Sequence, residues 1–254
     1  MIIDTHCHLY AEEFKNDIEE VVKRSVDAGI SRFYLPAIDS GSTDAMLQLE
    51  KKFPGYFFSM MGLHPCSVKE NYQDELRLVK EWLSKRSFAA IGEIGLDFYW
   101  DKTFVNEQYD AFNQQIQLAI DHDLPIVIHT REAMTETIEV IKNYNGKVKG
   151  IFHCFGGSSE QAAQIIGLGF YLGIGGVVTY KKSGLAEVIK DIDLKYLVLE
   201  TDAPYLTPAP FRGKRNESSY LKYILEKIAE VKNVTVDEVA EATTANALKI
   251  FNGA

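Results

Sequence analysis

The chain has too few cysteines for a disulfide scaffold: three in 254 residues, an odd number without paired spacing. No apolar run approaches the roughly 18 residues that a membrane helix needs. The first ten residues, MIIDTHCHLY, hold no basic leader. A reduced, cytoplasmic setting without membrane contact is therefore expected. Basic residues are in deficit too, 27 Lys and Arg against 36 Asp and Glu, for a formal charge of −9. That argues against a broad basic face gripping nucleic acid and leaves room for a local basic site. Linkers, repeats and low-complexity tracts are missing, so one domain over residues 1–254 is expected, with no obligate protein partner.

What recurs is a short β-branched or aromatic run followed by a segment of helical periodicity. The runs are IIDTH, RFYLPAI, YFFSMMGLH, FAAIGEIGL, LPIVIHT, VKGIFHC, GFYLGIGG and YLVLETDA. They are almost continuously apolar, as parallel strands covered on both faces are. Between them lie stripes such as Phe112, Ile116, Ala119 and Ile120, or Leu221, Ile224, Leu225 and Ile228. Thr235 and Glu238 have capping-box spacing at the start of the last helix. Eight β–α units in this length predict an α/β fold, a (β/α)8 TIM barrel. An open doubly wound sheet is the alternative, but no GxGxxG follows the first run.

The six histidines are His6, His8, His64, His122, His129 and His153. All but His122 fall at or just past a strand end, where a barrel gathers its active site. His6 and His8 flank Cys7, so alternation turns both imidazoles one way and the thiol the other. Two further residues carry charge into apolar runs: Glu93 in AAIGEIGL and Asp202 after YLVLET. Buried carboxylates need partners, and no Lys or Arg sits at a strand end beside either one. Four imidazoles and two carboxylates exceed one tetrahedral ion. They suit two divalent ions about 3.5–4 Å apart, sharing a carboxylate and activating a water. Two dications, two carboxylates and a hydroxide leave about +1, so the centre should attract an anion.

These motifs resemble the TatD family of metal-dependent deoxyribonucleases within the amidohydrolase-like barrels. The matching stretches are DTHCHL, GLHP, GEIGLDFYW, PIVIHTREA, FHCFGG, ETDAPYLTP and RGKRNE, in order from residue 4 to residue 217. The resemblance implies that His6, His8 and Asp202 hold one ion, that Glu93 bridges, and that His129 and His153 hold the second. It implies hydrolysis of DNA phosphodiesters, as a 3′–5′ exonuclease acting on a single strand or 3′ end, and possible action on RNA. Asp202 would be ligand and proton acceptor, with Glu93 as the other catalytic carboxylate. Imidazole ligation suits Zn, Mn, Ni or Co, whereas the family implies Mg. One departure stands out: the family's NEP reads Asn216-Glu217-Ser218, which predicts a looser loop.

With the ligands assigned, His64 becomes a candidate for substrate contact or proton donation. Arg212 and Lys214, with Arg215, lie in the loop after strand eight, a recurrent phosphate site of such barrels, and Lys181 and Lys182 follow strand seven. Phe98, Tyr99 and Trp100 are expected to pack a loop or stack a terminal base. Asp4 and Glu200 are candidates for orienting ligands, while Cys7, Cys66 and Cys154 read as packing or incidental thiols. Two rivals remain: an ester- or amide-cleaving relative, such as a lactonase or D-aminoacyl-tRNA deacylase, and a non-enzymatic metal-stabilised scaffold.

Overall fold

The computed structural model describes residues 1–251; the last three residues of the expected domain lie outside the described residues. Each apolar run overlaps one strand: β1 (Ile2–Asp4), β2 (Ile30–Pro36), β3 (Phe57–Met60), β4 (Ile91–Asp97), β5 (Ile126–Arg131), β6 (Gly150–Phe152), β7 (Tyr171–Ile174) and β8 (Leu197–Leu199). All neighbours pair in parallel, in the orders β1-β2-β3 and β4-β5-β6-β7-β8. A Met61–Ile91 bridge joins β3 to β4. The Thr5 amide donates to the Leu199 carbonyl at 2.9 Å and joins β8 to β1. The sheet thus closes into a (β/α)8 barrel.

A helix follows every strand: α1 (Ile18–Asp27), α2 (Ser40–Lys52), α3 (Tyr72–Lys85), α4 (Val105–Asp121), α5 (Met134–Lys142), α6 (Ser159–Gly167), α7 (Leu185–Lys190) and α8 (Leu221–Lys232). Phe112, Ile116 and Ala119 of α4 and Ile224, Leu225 and Ile228 of α8 press onto the outside of the barrel. An additional helix, α9 (Val236–Phe251), opens on the Thr235–Glu238 capping box, with reciprocal bonds of 3.1 and 2.8 Å. Its Ala247, Ile250 and Phe251 plug the interior beneath Ile3, Tyr34, Met60, Val127, Ile151 and Val198. Tyr34 and Phe251 stack at 3.7 Å.

Side chains alternate along a strand, so the position two residues beyond each inward apolar residue also faces inward. His129 therefore stands above Val127, His153 above Ile151, and Glu200 above Val198. Among the described residues no helix is long and apolar enough to cross a membrane. The three cysteines are free.

Candidate metal centre

β1 ends at Asp4, two residues short of the first histidine; Thr5 and His6 lie in a bend, and Cys7 and His8 in the loop that follows. Cys7 turns away, fully buried with Sγ toward the Tyr34 carbonyl, while His6 Nε2 and His8 Nε2 lie 3.3 Å apart. Glu93 sits at the centre of the nest. Its Oε2 is 3.2 Å from His6 Nε2 and 3.6 Å from His8 Nε2. Its Oε1 is 2.8 Å from His129 Nδ1, 3.1 Å from His153 Nε2 and 3.4 Å from His64 Nε2. Asp202 Oδ1 closes the other side, 3.7 Å from His6 Nε2 and 3.5 Å from His8 Nε2. Six strand ends far apart in the chain, those of β1, β3, β4, β5, β6 and β8, thus deliver all six expected ligands, and His64, to one mouth. His122 stays away, capping α4.

Backbone shape helps to bring these groups in. A Cβ on Gly95 would lie 1.9 Å from the His129 carbonyl oxygen, at a φ of +146°. Only glycine lets β4 approach β5 so closely. A Cβ on Gly173 would lie 2.2 Å from Glu200 Oε2, so the missing side chain makes room for that carboxylate. Asp202 and Cys154 themselves adopt positive φ, 55° and 48°, a conformation uncommon outside glycine and concentrated at functional sites.

The surrounding hydrogen bonds fix which nitrogens face inward. Tyr10 Oη donates to the Pro36 carbonyl at 2.5 Å, so it accepts from His8 Nδ1–H at 2.9 Å. His8 Nε2 is then left with a lone pair aimed at the nest. His129 Nε2–H donates to Asp97 Oδ2 at 2.9 Å, presenting Nδ1 to Glu93. Glu200 Oε1 accepts the Cys154 amide and lies 3.2 Å from His153 Nδ1, short of hydrogen-bond alignment. His64 differs from the rest. Its Nδ1 accepts the Cys66 amide at 3.0 Å, so the ring proton of the neutral imidazole is on Nε2 and points inward. The ring is arranged to donate, where His8 is arranged to ligate.

Charge is balanced without any Lys or Arg. Burial pushes the Glu93 carboxyl up, but His153, His6, His64 and His129 together outweigh it and hold the group well below the usual range. Burial pushes His153 and His129 down, and the facing carboxylates overcome this and raise both. His6 and His64 are lowered, chiefly by burial. Among the described residues, three groups could hold an ion: His6 with His153 and Asp202, His6 with His8 and Glu93, and His64 with Glu93 and His129. The donor set fits divalent cations: ionised carboxylates face imidazoles that, among the described residues, are the pocket's only internal cations, and a metal ion would take the place of the protons on His129 and His153. The tautomer of His64 argues against the third group.

Other expectations change in detail. Asp4 accepts from the Thr201 amide at 3.0 Å, the Thr201 hydroxyl at 2.6 Å and the Ser218 hydroxyl at 2.6 Å, but reaches only the backbone amide of His6. It ties β1 to the end of β8 and does not orient the His6 ring. The loop containing Asn216-Glu217-Ser218 is not loose. Asn216 Nδ2 donates to the carbonyls of Thr201 and Tyr205 at 2.8 and 2.6 Å, Arg24 pairs with Glu217 at 2.8 Å, and Ser218 bonds Asp4. Arg215 is consumed by Asp17. Arg212 and Lys214 are exposed, and Arg212 stacks on Tyr180 at 4.1 Å. Neither makes a hydrogen bond or ion pair with the nest; Lys181 and Lys182 are exposed as well. Phe98 turns inward against Tyr109, leaving Tyr99 and Trp100 outside. Sequence reasoning missed Asp97 and Tyr10. The signal for both was their spacing: Asp97 ends the GEIGLD run that contains Glu93, and Tyr10 lies two residues after His8.

A parallel eight-stranded barrel with imidazoles and carboxylates gathered at its mouth defines a metal-dependent hydrolase. The TatD related DNase family matches residues 3–252. An uncharacterized metal-dependent hydrolase, YabD of Bacillus subtilis, is 40% identical over 99% of both chains. The 3′-5′ ssDNA/RNA exonuclease TatD of Erwinia tasmaniensis is 31% identical over 99% of this chain and all of its own. The crystal structure of the TatD homologue YjjV from Escherichia coli superimposes with a TM-score of 0.94 at 30% identity, covering 100% of this chain and 98% of that one. The chain belongs to the TatD-related DNase family.

Proposed function

We propose that this hydrolase cleaves phosphodiester bonds in single-stranded DNA, and in RNA, removing nucleotides from a 3′ end in the cytoplasm. The observation that carries the reading is the convergence on Glu93 of ligating imidazoles beside one imidazole, His64, that presents a proton. His6, His8 and Asp202 would hold one divalent ion and His129 with His153 the other, with Glu93 shared between them. Bound there, the two ions supply Lewis acidity toward a phosphoryl oxygen and lower the pKa of water.

The remaining work falls to the chain. Burial pushes Asp202 up, but the facing imidazoles of His8, His153 and His6 together hold it below its ordinary value. It is therefore ionised and ready to accept the proton of the attacking water. As that oxygen bonds to phosphorus, the bond to the leaving sugar oxygen breaks. His64 Nε2–H offers a hydrogen bond to an oxygen gaining charge. Arg212, held on Tyr180, and Lys214 would draw the incoming phosphate to the mouth. Because the protein is acidic, a strand terminus at one opening suits it better than a long duplex.

The test pairs metal analysis of the purified protein with a timed digest of 5′-labelled oligonucleotides under Mg, Mn, Zn, Ni and Co. A ladder shortening from the 3′ end, with about two ions per chain, is expected. Turnover confined to lactones, esters or aminoacyl-tRNA would overturn the nuclease reading, and no turnover with any substrate would favour a scaffold.

A further inference from the structure

Six of the seven arginines fall into two kinds. Arg24, Arg77, Arg86 and Arg215 end on carboxylates at 2.8, 2.9, 2.8 and 2.5 Å. Among the described residues, Arg131 and Arg212 have no ion pair and are stacked on tyrosines instead. Arg131 ends β5, two residues beyond His129. Its guanidinium carbon is 3.9 Å from the Tyr99 ring centroid and 5.0 Å from that of Trp100. Stacking occupies a face of the guanidinium but leaves its N–H donors, which lie in its plane, free for a phosphate. In a chain of charge −9, a cation spared from its many carboxylates is set apart for an anion from outside.

The rings beside it are not used for packing. Tyr99 and Trp100 are 52% and 67% exposed and meet edge to face at 4.8 Å, whereas Phe98 turns inward. Their loop is nonetheless anchored. Asp97 Oδ1 accepts the amides of Tyr99 at 2.9 Å and Trp100 at 3.2 Å, while its Oδ2 accepts from His129. One carboxylate thus fixes both a ligand candidate and the aromatic loop, which sets their separation. An open groove borders Arg131 between the loops after β5 and β6.

We infer that Trp100 and Arg131 form a nucleotide subsite beside the metal nest: the Trp100 ring stacks a base of single-stranded nucleic acid, and Arg131, oriented by Tyr99, grips the adjoining phosphate. The inference rests on the nuclease reading and adds a place for the nucleotide next to the one cleaved. It assigns Arg131 a role that its position in HTREA did not reveal.

The experiment is equilibrium binding, in chelator so that nothing is cleaved. The chain has two tryptophans, so Trp82→Phe leaves Trp100 as the only indole. Adding oligothymidylate to that variant should quench its fluorescence. By anisotropy with a labelled oligothymidylate, Trp100→Ala should raise Kd about fivefold or more, and Trp100→Phe should retain most of the affinity. Arg131→Ala should raise Kd about tenfold, with Arg131→Lys between it and the parent. Unchanged melting temperatures exclude misfolding. Absence of quenching, or Kd values within about twofold of the parent for both alanine variants, would overturn the subsite. A parent that binds with these dependences yet never cleaves with metal would defeat the nuclease reading and leave the subsite standing.

Discussion

Floor and mouth of this barrel are built on the same strands and obey opposite rules. At the floor, Ile3, Tyr34, Met60, Val127, Ile151 and Val198 meet the plug of α9 through apolar side chains, with the Tyr34 hydroxyl as the one polar group among these six. Two residues along, β5 presents His129, and the residues just after β6 and β8 are His153 and Glu200. The floor gains stability from each buried side chain. The mouth concentrates buried polar groups that cost free energy to desolvate, and it leaves His6 Nδ1, His153 Nδ1 and Glu200 Oε2 without a hydrogen-bond partner. The contrast teaches that stability and chemistry are separated along the barrel axis by a single period of strand alternation.

The sharpest way to break that separation is at Glu93, which touches five imidazoles. Glu93→Ala should cost at least about a hundredfold in turnover and lower bound metal to half or less, read by metal analysis beside oligonucleotide kinetics. Turnover near the parent's with metal content halved would mean that the nest does not act as one centre. At the floor, Phe251→Ala removes the ring stacked on Tyr34 and should cost about 3–5 kcal/mol in urea unfolding. Metal content of the folded fraction should stay normal. A loss of metal would show that the plug and the mouth are coupled.

A smaller effect probes the loop that joins the mouth to α1. Burial pushes Glu217 up, but the bonds from Arg24 and Ser219 prevail and hold it below its ordinary 4.5. A carboxyl depressed in the folded state stabilises fully above its unfolded pKa, and that contribution fades as pH falls through the folded value. The melting temperature should therefore drop below about pH 4.5, and Arg24→Ala should flatten the drop without altering the oligonucleotide ladder. An identical acid limb in the variant would remove this pair from the acid response.

Much of this could be read along the chain. Strands were legible because parallel strands covered on both faces are continuous apolar runs, and the ligand candidates because His and Glu are conspicuous inside such runs. The site's supports were less visible. Asp97 resembles any acidic residue closing a strand, and only the pairing of β4 with β5 reveals that it accepts from His129. Ser218 suggested a slackened loop until the fold brought it to Asp4, 214 residues away in the sequence.

Local pattern alone determined the alternation of strand and helix, the closure expected of eight units, and which side chains had donor atoms to offer. Tertiary structure alone decided that Glu93 lies between His6 and His129, that His64 points a proton where His8 points a lone pair, and that Arg131 leans on aromatic rings. The physical reason is range. Periodicity and propensity act over a few residues and are printed in their order. Hydrogen-bond direction and charge compensation depend on groups that meet only after the sheet has closed.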